Sequence, residues 1–112
     1  MTDFNSQLGL KIGDEPGTIA LDTRDDHLIA PDTIHFAVLT TMAEVAAAGA
    51  VGAPVVPANV SVNLLSRARS GRLDARGILI KRGRRLAVAE GEVRQNDRLV
   101  AKATVTFAIL GG

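Results

Sequence analysis

A single carboxylate interrupts a long uncharged stretch: Glu44 is the only Asp, Glu, Lys or Arg between Asp32 and Arg67. Its neighbours are Met42, Ala43, Val45 and Ala46. Taking an unpaired carboxylate out of water costs on the order of several kcal/mol. Desolvation then raises its pKa unless donors surround it. In an apolar cleft such a group is a candidate nucleophile or general base. A plainer reading puts Glu44 on a narrow solvent-facing stripe. His35 precedes it by nine residues. On a helix the two point to opposite sides, about 13 Å apart along the axis, so they form no pair within one chain. A His at a helix start packs or hydrogen-bonds a loop unless a partner reaches it.

A second group that could bind is the basic run Lys81-Arg82-Gly83-Arg84-Arg85. Arg82, Arg84 and Arg85 could take phosphates, for which guanidinium is well suited. The run could equally be a solvated hairpin that blunts a sheet edge. The row Asn59, Ser61 and Asn63 could line a cleft or face outward from a sheet, and the outer face is slightly favoured.

Composition narrows the chemistry. The chain has 112 residues, 46% of them hydrophobic and 22% charged, which suits one soluble domain spanning 1–112. The only aromatics are three Phe, so Val, Leu, Ile and Ala must build the core. A net charge of +1 argues against a dedicated nucleic-acid binder. There are no cysteines, which excludes disulfides, thiolate nucleophiles and zinc–thiolate sites. The start Met-Thr-Asp-Phe-Asn lacks a basic, then apolar leader, so a cytoplasmic location is expected. The uncharged stretch is broken by Glu44, Gly, Pro and Asn and reads poorly as a membrane span.

The elements that must carry these groups follow from hydrophobic period. Residues 7–13 and 17–23 read as short strands joined at Asp14-Glu15-Pro16-Gly17, and 24–32 as a loop. A helix follows over 34–48, with Asp32 or Thr33 as its N-cap, weakened at Gly49 and Gly52 and stopped by Pro54. It is apolar or small on almost every side, so it belongs at the centre of the fold. Strands are expected over 57–66, 72–81, 85–95 and 98–110. In the last, Leu99, Ala101, Ala103, Val105, Phe107 and Ile109 share one face. Turns fall at 81–84 and 95–98. One helix on a curved antiparallel sheet, an α+β fold, satisfies this order. Its edge strand should be buried against a twin, giving a homodimer.

The segment His35-Phe36-Ala37-Val38-Leu39-Thr40-Thr41-Met42-Ala43-Glu44 resembles the helix motif of hotdog thioesterases, especially the phenylacetate-degradation type. That pattern is His-Gly-Gly, then a helix with Asp or Glu nine positions after the His. Val60 to Gly71, Gly83 to Val88 and Leu99 to Ala103 are similar to later strands of that family. The resemblance spans about residues 17 to 110. It implies a hotdog fold, a sheet wrapped around one central helix, and a homodimer with a continuous sheet and active sites at the interface, often doubled to a homotetramer. It implies an acyl-coenzyme A substrate and no metal or other cofactor. Glu44 then matches the catalytic carboxylate, and Ala37 the residue whose N–H holds the oxyanion beside His35. Arg82, Gly83, Arg84 and Arg85 would hold coenzyme A. The chain departs from the pattern in having Phe36-Ala37 for Gly-Gly, where Cβ atoms narrow the approach to the carbonyl. The Asn and Gly expected before the His are absent, and Pro57 stands where a hydroxyl residue often assists.

Three functions follow: an acyl-coenzyme A thioesterase, a non-catalytic acyl-coenzyme A binder, or a structural homo-oligomer without ligand. The first is the leading expectation. A dehydratase of the same fold is disfavoured by the lack of a suitable Asp and His pair.

Overall fold

The structure, a computed structural model, describes residues 3–111. The first two residues and the last, which the single-domain expectation also spans, lie outside the described residues.

Helix α1, Phe4–Leu8, opens the described chain. Asp3 caps it by accepting the Ser6 N–H at 2.8 Å. Gly9 ends it at φ 95°, a left-handed position that glycine adopts without a Cβ clash. The strand expected over 7–13 is thus the tail of this helix and a two-residue strand β1, Lys11–Ile12. Strand β2, Thr18–Asp22, follows the expected turn. The expected loop 24–32 holds a 3-10 turn, Asp25–His27, and strand β3, Leu28–Ala30. It pairs with β4, Thr33–Ile34.

The central helix α2 runs Phe36–Val51, capped by His35 rather than by Asp32 or Thr33. Thr33 is committed to β4, and the Asp32 carboxylate accepts the Ser70 N–H and pairs with Arg69, each at 3.0 Å. The helix passes through Gly49 and ends at Gly52, which has φ 75°. Strands β5, Val55–Leu64, β6, Arg72–Arg82, β7, Leu86–Gln95, and β8, Arg98–Ile109, complete the chain. The six-stranded sheet has the order β1-β2-β6-β7-β8-β5, and every neighbouring pair is antiparallel. The architecture is α+β, one long helix against an antiparallel sheet.

The sheet face toward α2 is small. Ala75, Ala87, Ala89, Ala101 and Ala103 are buried there with Val93, Val105 and Phe107. Gly77 and Gly91 are register partners. A Cβ on either would collide with a helix carbonyl oxygen, that of Ala46 over Gly77 and that of Ala43 over Gly91. Backbone therefore rests on backbone at the centre of the contact. The helix buries Val38, Leu39, Met42, Ala43, Ala46, Ala47 and Val51. The opposite face is not buried, contrary to the expectation from its apolar sequence: Ala37 is exposed, and Thr40, Thr41, Glu44, Val45 and Ala48 are only partly covered.

Two sheet edges stay open. β5 is hydrogen-bonded to β8 alone, with Val56, Val60 and Leu64 exposed. β2 covers β6 only from Arg72 to Arg76, so the rest of β6 has a free side where Ile78, Leu79 and Ile80 are exposed.

Candidate active site

Glu44 lies on the third turn of α2, on its open face. No hydrogen bond or ion pair engages its carboxylate among the described residues. Burial alone pushes the carboxyl above its ordinary value. The stripe on either side is uncharged: Thr40 and Thr41 precede it and Ala48 follows it at helical spacing. Glu44 thus lies on a solvent-reaching stripe that still withholds part of the carboxylate's water.

At the start of α2, the Ala37 N–H donates to His35 Nδ1 at 2.9 Å. Nδ1 must then lack a proton. The His35 ring stacks on Phe36, with centroids 4.6 Å apart. The N–H of Phe36, one residue earlier, has no acceptor among the described residues. First-turn N–H groups are unsatisfied within a helix and point at whatever anion lies beyond it. Ala37 and Glu44 are separated by about 10 Å of helix axis, so within one chain they cannot act on the same carbonyl.

The basic run divides by role. Arg82 Nη1 donates to the Val51 carbonyl at 2.9 Å, placing a cation on the negative end of α2. The Gly83 N–H closes the turn on the Leu86 carbonyl at 2.8 Å. Arg84 and Arg85 are exposed, have no carboxylate partner among the described residues, and line an open cavity of about 540 Å³ with Leu86, Ala108 and Ile109. This run lies at the opposite end of α2 from His35 and Ala37. Asn59, Ser61 and Asn63 pair with Thr106, Thr104 and Lys102, which alternate with buried Phe107, Val105 and Ala103. The polar row therefore faces outward, away from the helix.

Several residues at the site escaped sequence reasoning. His27 is 2% exposed; its Nδ1 accepts the Arg24 N–H at 2.9 Å and its Nε2 meets the Leu8 carbonyl at 2.8 Å. Its own carbonyl accepts the His35 N–H at 2.8 Å, tying the N-terminal segment to the start of α2. Asp32 clamps loop 66–71 to the same place, and the Ser70 N–H and Arg69 hold its carboxyl below the ordinary value. Buried Gln95 grips that loop from below through the Arg69 N–H at 2.9 Å and carbonyl at 2.8 Å. The Leu8 contact of His27 and the clamps made by Asp32 and Gln95 have no local sequence signature, because those partners are distant in the chain. The Thr40 hydroxyl is buried without a hydrogen-bond partner among the described residues. It stands one turn before Glu44, a spacing that could have flagged it. Finally, Phe36, Leu39, Leu64 and Leu65 line an open cleft of about 360 Å³ beside the first turn.

No described helix is long and apolar enough to cross a membrane. Known proteins share this architecture. The family described as the acyl-CoA thioesterase N-terminal domain matches residues 25–108. A mutant of the phenylacetic acid degradation protein PaaI from Thermus thermophilus superposes with a TM-score of 0.86 at 32% identity, covering 96% of this chain and 98% of that one. A phenylacetic acid degradation-related protein from Ralstonia eutropha gives 0.81 at 28% identity, covering 94% and 88%. A thioesterase from Haemophilus influenzae gives 0.84 at 22% identity, covering 95% and 81%, which speaks for the fold alone. No curated protein sequence matches the chain. The matched segment takes in α2 with Glu44, the basic turn and strands β5 to β7 whole, and the chain belongs to the hotdog thioesterases, in the acyl-CoA thioesterase family.

Proposed function

We propose that the protein hydrolyses acyl-coenzyme A thioesters as a homodimer, with Glu44 as general base and the first-turn N–H groups of α2 as oxyanion donors. The observation that carries this is Glu44 itself: a carboxylate with no protein partner, desolvated enough to bind a proton more readily, on a helix face the sheet leaves open. Glu44 would take a proton from water as the water oxygen bonds to the thioester carbon. The carbonyl electrons collect on oxygen, facing the N–H groups of Phe36 and Ala37. The C–S bond then breaks and the proton passes to the departing thiolate, giving a carboxylic acid and free coenzyme A.

Two chains are needed because one cannot bring Glu44 and Ala37 together. The ten-residue free edge of β5 supports this reading. Antiparallel pairing of two β5 strands sets the Val55 end of one copy beside the Leu64 end of the other. Arg85 neighbours the Val55 end, since its carbonyl accepts the N–H of Ile109, the partner of Val55. Loop 66–71 and the helix start neighbour the Leu64 end. Arg84 and Arg85, with Arg82 and Gly83 shaping their turn, would thus face the helix start of the other copy and hold coenzyme A phosphates there. Pairing two such dimers would give the homotetramer.

A non-catalytic acyl-coenzyme A binder is the second reading, favoured by the Ala37 N–H being already bonded to His35 Nδ1. A screen of short, medium and aromatic acyl-coenzyme A substrates separates the two. Glu44→Gln should lower kcat by about 10²–10⁴-fold with little change in binding. Full turnover in Glu44→Gln removes the proposed chemistry. Binding without turnover in the wild type installs the second reading. Sedimentation at micromolar concentration that finds only an 11.7 kDa species removes the dimer.

A further inference from the structure

Two adjacent threonines on α2 use their hydroxyls differently. Thr41 Oγ1 donates to the Ala37 carbonyl four residues back, at 2.8 Å, in an exposed bond. That is an ordinary outlet for a hydroxyl inside a helix. Thr40 Oγ1 makes no such bond. It is shut away from solvent and has no hydrogen-bond partner, the one buried side-chain polar atom among the described residues of which this is true. Thr40 as a whole is only partly covered, so what it shows to solvent is not its oxygen. An unmet buried hydroxyl is destabilising, and a native fold that keeps one calls for a reason.

Glu44 supplies the reason. Thr40 and Glu44 are one helical turn apart, which sets their Cβ atoms about 5–6 Å from each other on one side of α2. Of the two positions one turn from Glu44, Ala48 has no side-chain polar atom and Thr40 has the hydroxyl. The carboxylate has no partner among the described residues, and burial rather than any charged side chain shifts it. The staggered rotamers of threonine differ by about 120°, and helical threonine divides between two of them. One such turn carries the Thr40 hydroxyl to the outlet that Thr41 already uses. There it donates to the Phe36 carbonyl and leaves its oxygen lone pair free beside Glu44.

We propose that Thr40, with its hydroxyl turned out in this way, is the second holder of the attacking water. The inference rests on Glu44 acting as general base and adds the residue that aims the water. One water hydrogen points at a Glu44 oxygen and the other at Thr40 Oγ1, so a lone pair of the water faces the thioester carbon. Glu44 removes the first hydrogen as the O–C bond forms. The second stays on the oxygen that enters the carboxylic acid, and Thr40 neither gains nor loses a proton. A carboxylate alone holds one end of the water and lets it swivel. A second acceptor removes that freedom, and orientation of this kind is a source of rate. Thr41 is a poorer holder, because its bond is exposed and a water there exchanges with the bulk.

The test compares Thr40→Val, Thr40→Ser and Thr41→Val in the full chain, on the acyl-coenzyme A that the substrate screen finds best. Valine keeps the branched shape of threonine and removes the oxygen. Thr40→Val should lower kcat by about 10- to 100-fold and leave KM within about threefold. Its melting temperature should not fall, because no hydrogen bond is lost, so the lower kcat is not unfolding. Thr40→Ser should return kcat to within about threefold of wild type, and Thr41→Val should hold it there. An unchanged kcat in Thr40→Val, equal losses in the two valine variants, or no rescue by serine overturns the inference. Crystals of the wild type give a readout that needs no turnover: a water within about 3.2 Å of both Thr40 Oγ1 and a Glu44 oxygen, absent from crystals of Thr40→Val. That water without turnover of any thioester sinks hydrolysis and upholds Thr40 as its holder. Turnover with no such water and an unimpaired Thr40→Val sinks Thr40 and upholds hydrolysis.

Discussion

The two faces of α2 are built on opposite rules. Toward the sheet, Ala43 and Ala46 press their carbonyls onto Gly91 and Gly77, and the helix residues Val38, Leu39, Met42, Ala47 and Val51 are apolar and buried. Away from the sheet, the helix offers Thr40 and Glu44 without a partner among the described residues, and Thr41, whose hydroxyl donates to the Ala37 carbonyl. One face is closed to change because nothing more fits. The other is loosely covered and holds a hydroxyl, that of Thr40, and a carboxylate, that of Glu44, that no described residue satisfies. Stability and chemistry thus divide along the axis of a single helix rather than between separate regions.

The division can be broken most forcefully at the packed face. Gly91→Val places atoms where the Ala43 carbonyl already sits, and should cost about 3 kcal/mol in urea denaturation. Thr41→Val on the open face should stay within about 0.5 kcal/mol. Similar losses for the two would erase the contrast. A smaller effect is expected at the helix end. Arg82→Ala removes the guanidinium from the Val51 carbonyl and should lower stability by about 1 kcal/mol. If Arg82 serves coenzyme A alone, ligand affinity falls and the melting temperature does not move.

The smallest effect is the most diagnostic. A carboxyl whose folded value is raised holds its proton better folded than unfolded. Folding is therefore favoured while Glu44 is protonated, and that advantage drains away as pH rises above the ordinary carboxylate value of roughly 4.3. Wild type should lose stability relative to Glu44→Gln between about pH 4 and neutrality, by less than about 1 kcal/mol because the group still reaches solvent. A relative gain for wild type over that range would mean that ionised Glu44 has found a donor, and the open face would no longer be open.

Much of this was legible in the sequence where one physical pattern governs. The strands expected over 57–66, 72–81, 85–95 and 98–110 fall within two residues of β5 to β8; in β7 and β8 burial alternates at period two, and in β5 polar and apolar residue types alternate although most of the strand is exposed. The exception is Val100, fully buried outside the expected face of its strand. A register shift in the β7–β8 pairing frees it, and its carbonyl accepts the Leu65 and Ser66 N–H groups. In the N-terminal third, the strand expected over 17–23 is β2, but the strand over 7–13 and the loop over 24–32 were misread. Its elements are two to five residues long and are held by His27, Asp32 and Thr23 reaching partners far along the chain, which no local period reports. The helix cap was misplaced for the same reason. Glu44 was legible because it stands alone. The cleft beside Phe36 was not, because Leu64 and Leu65 arrive there only after β5 has crossed the sheet edge.

The uncovered half of β6 bears on whether assembly stops. A sheet with two open edges can add copies in two ways. Pairing β5 with β5 is self-complementary, and a two-fold axis ends it at two chains. Pairing β5 with the free side of β6 is head to tail, and each addition presents a fresh edge, so the product is a filament. Ile78, Leu79 and Ile80 make that second route attractive, and Lys81 and Arg82 directly after them carry charge into the path of any incoming strand. Whatever these cations bind, they also bias the chain toward the finite assembly, and neutralising both should show first as turbidity at high protein concentration rather than as lost affinity.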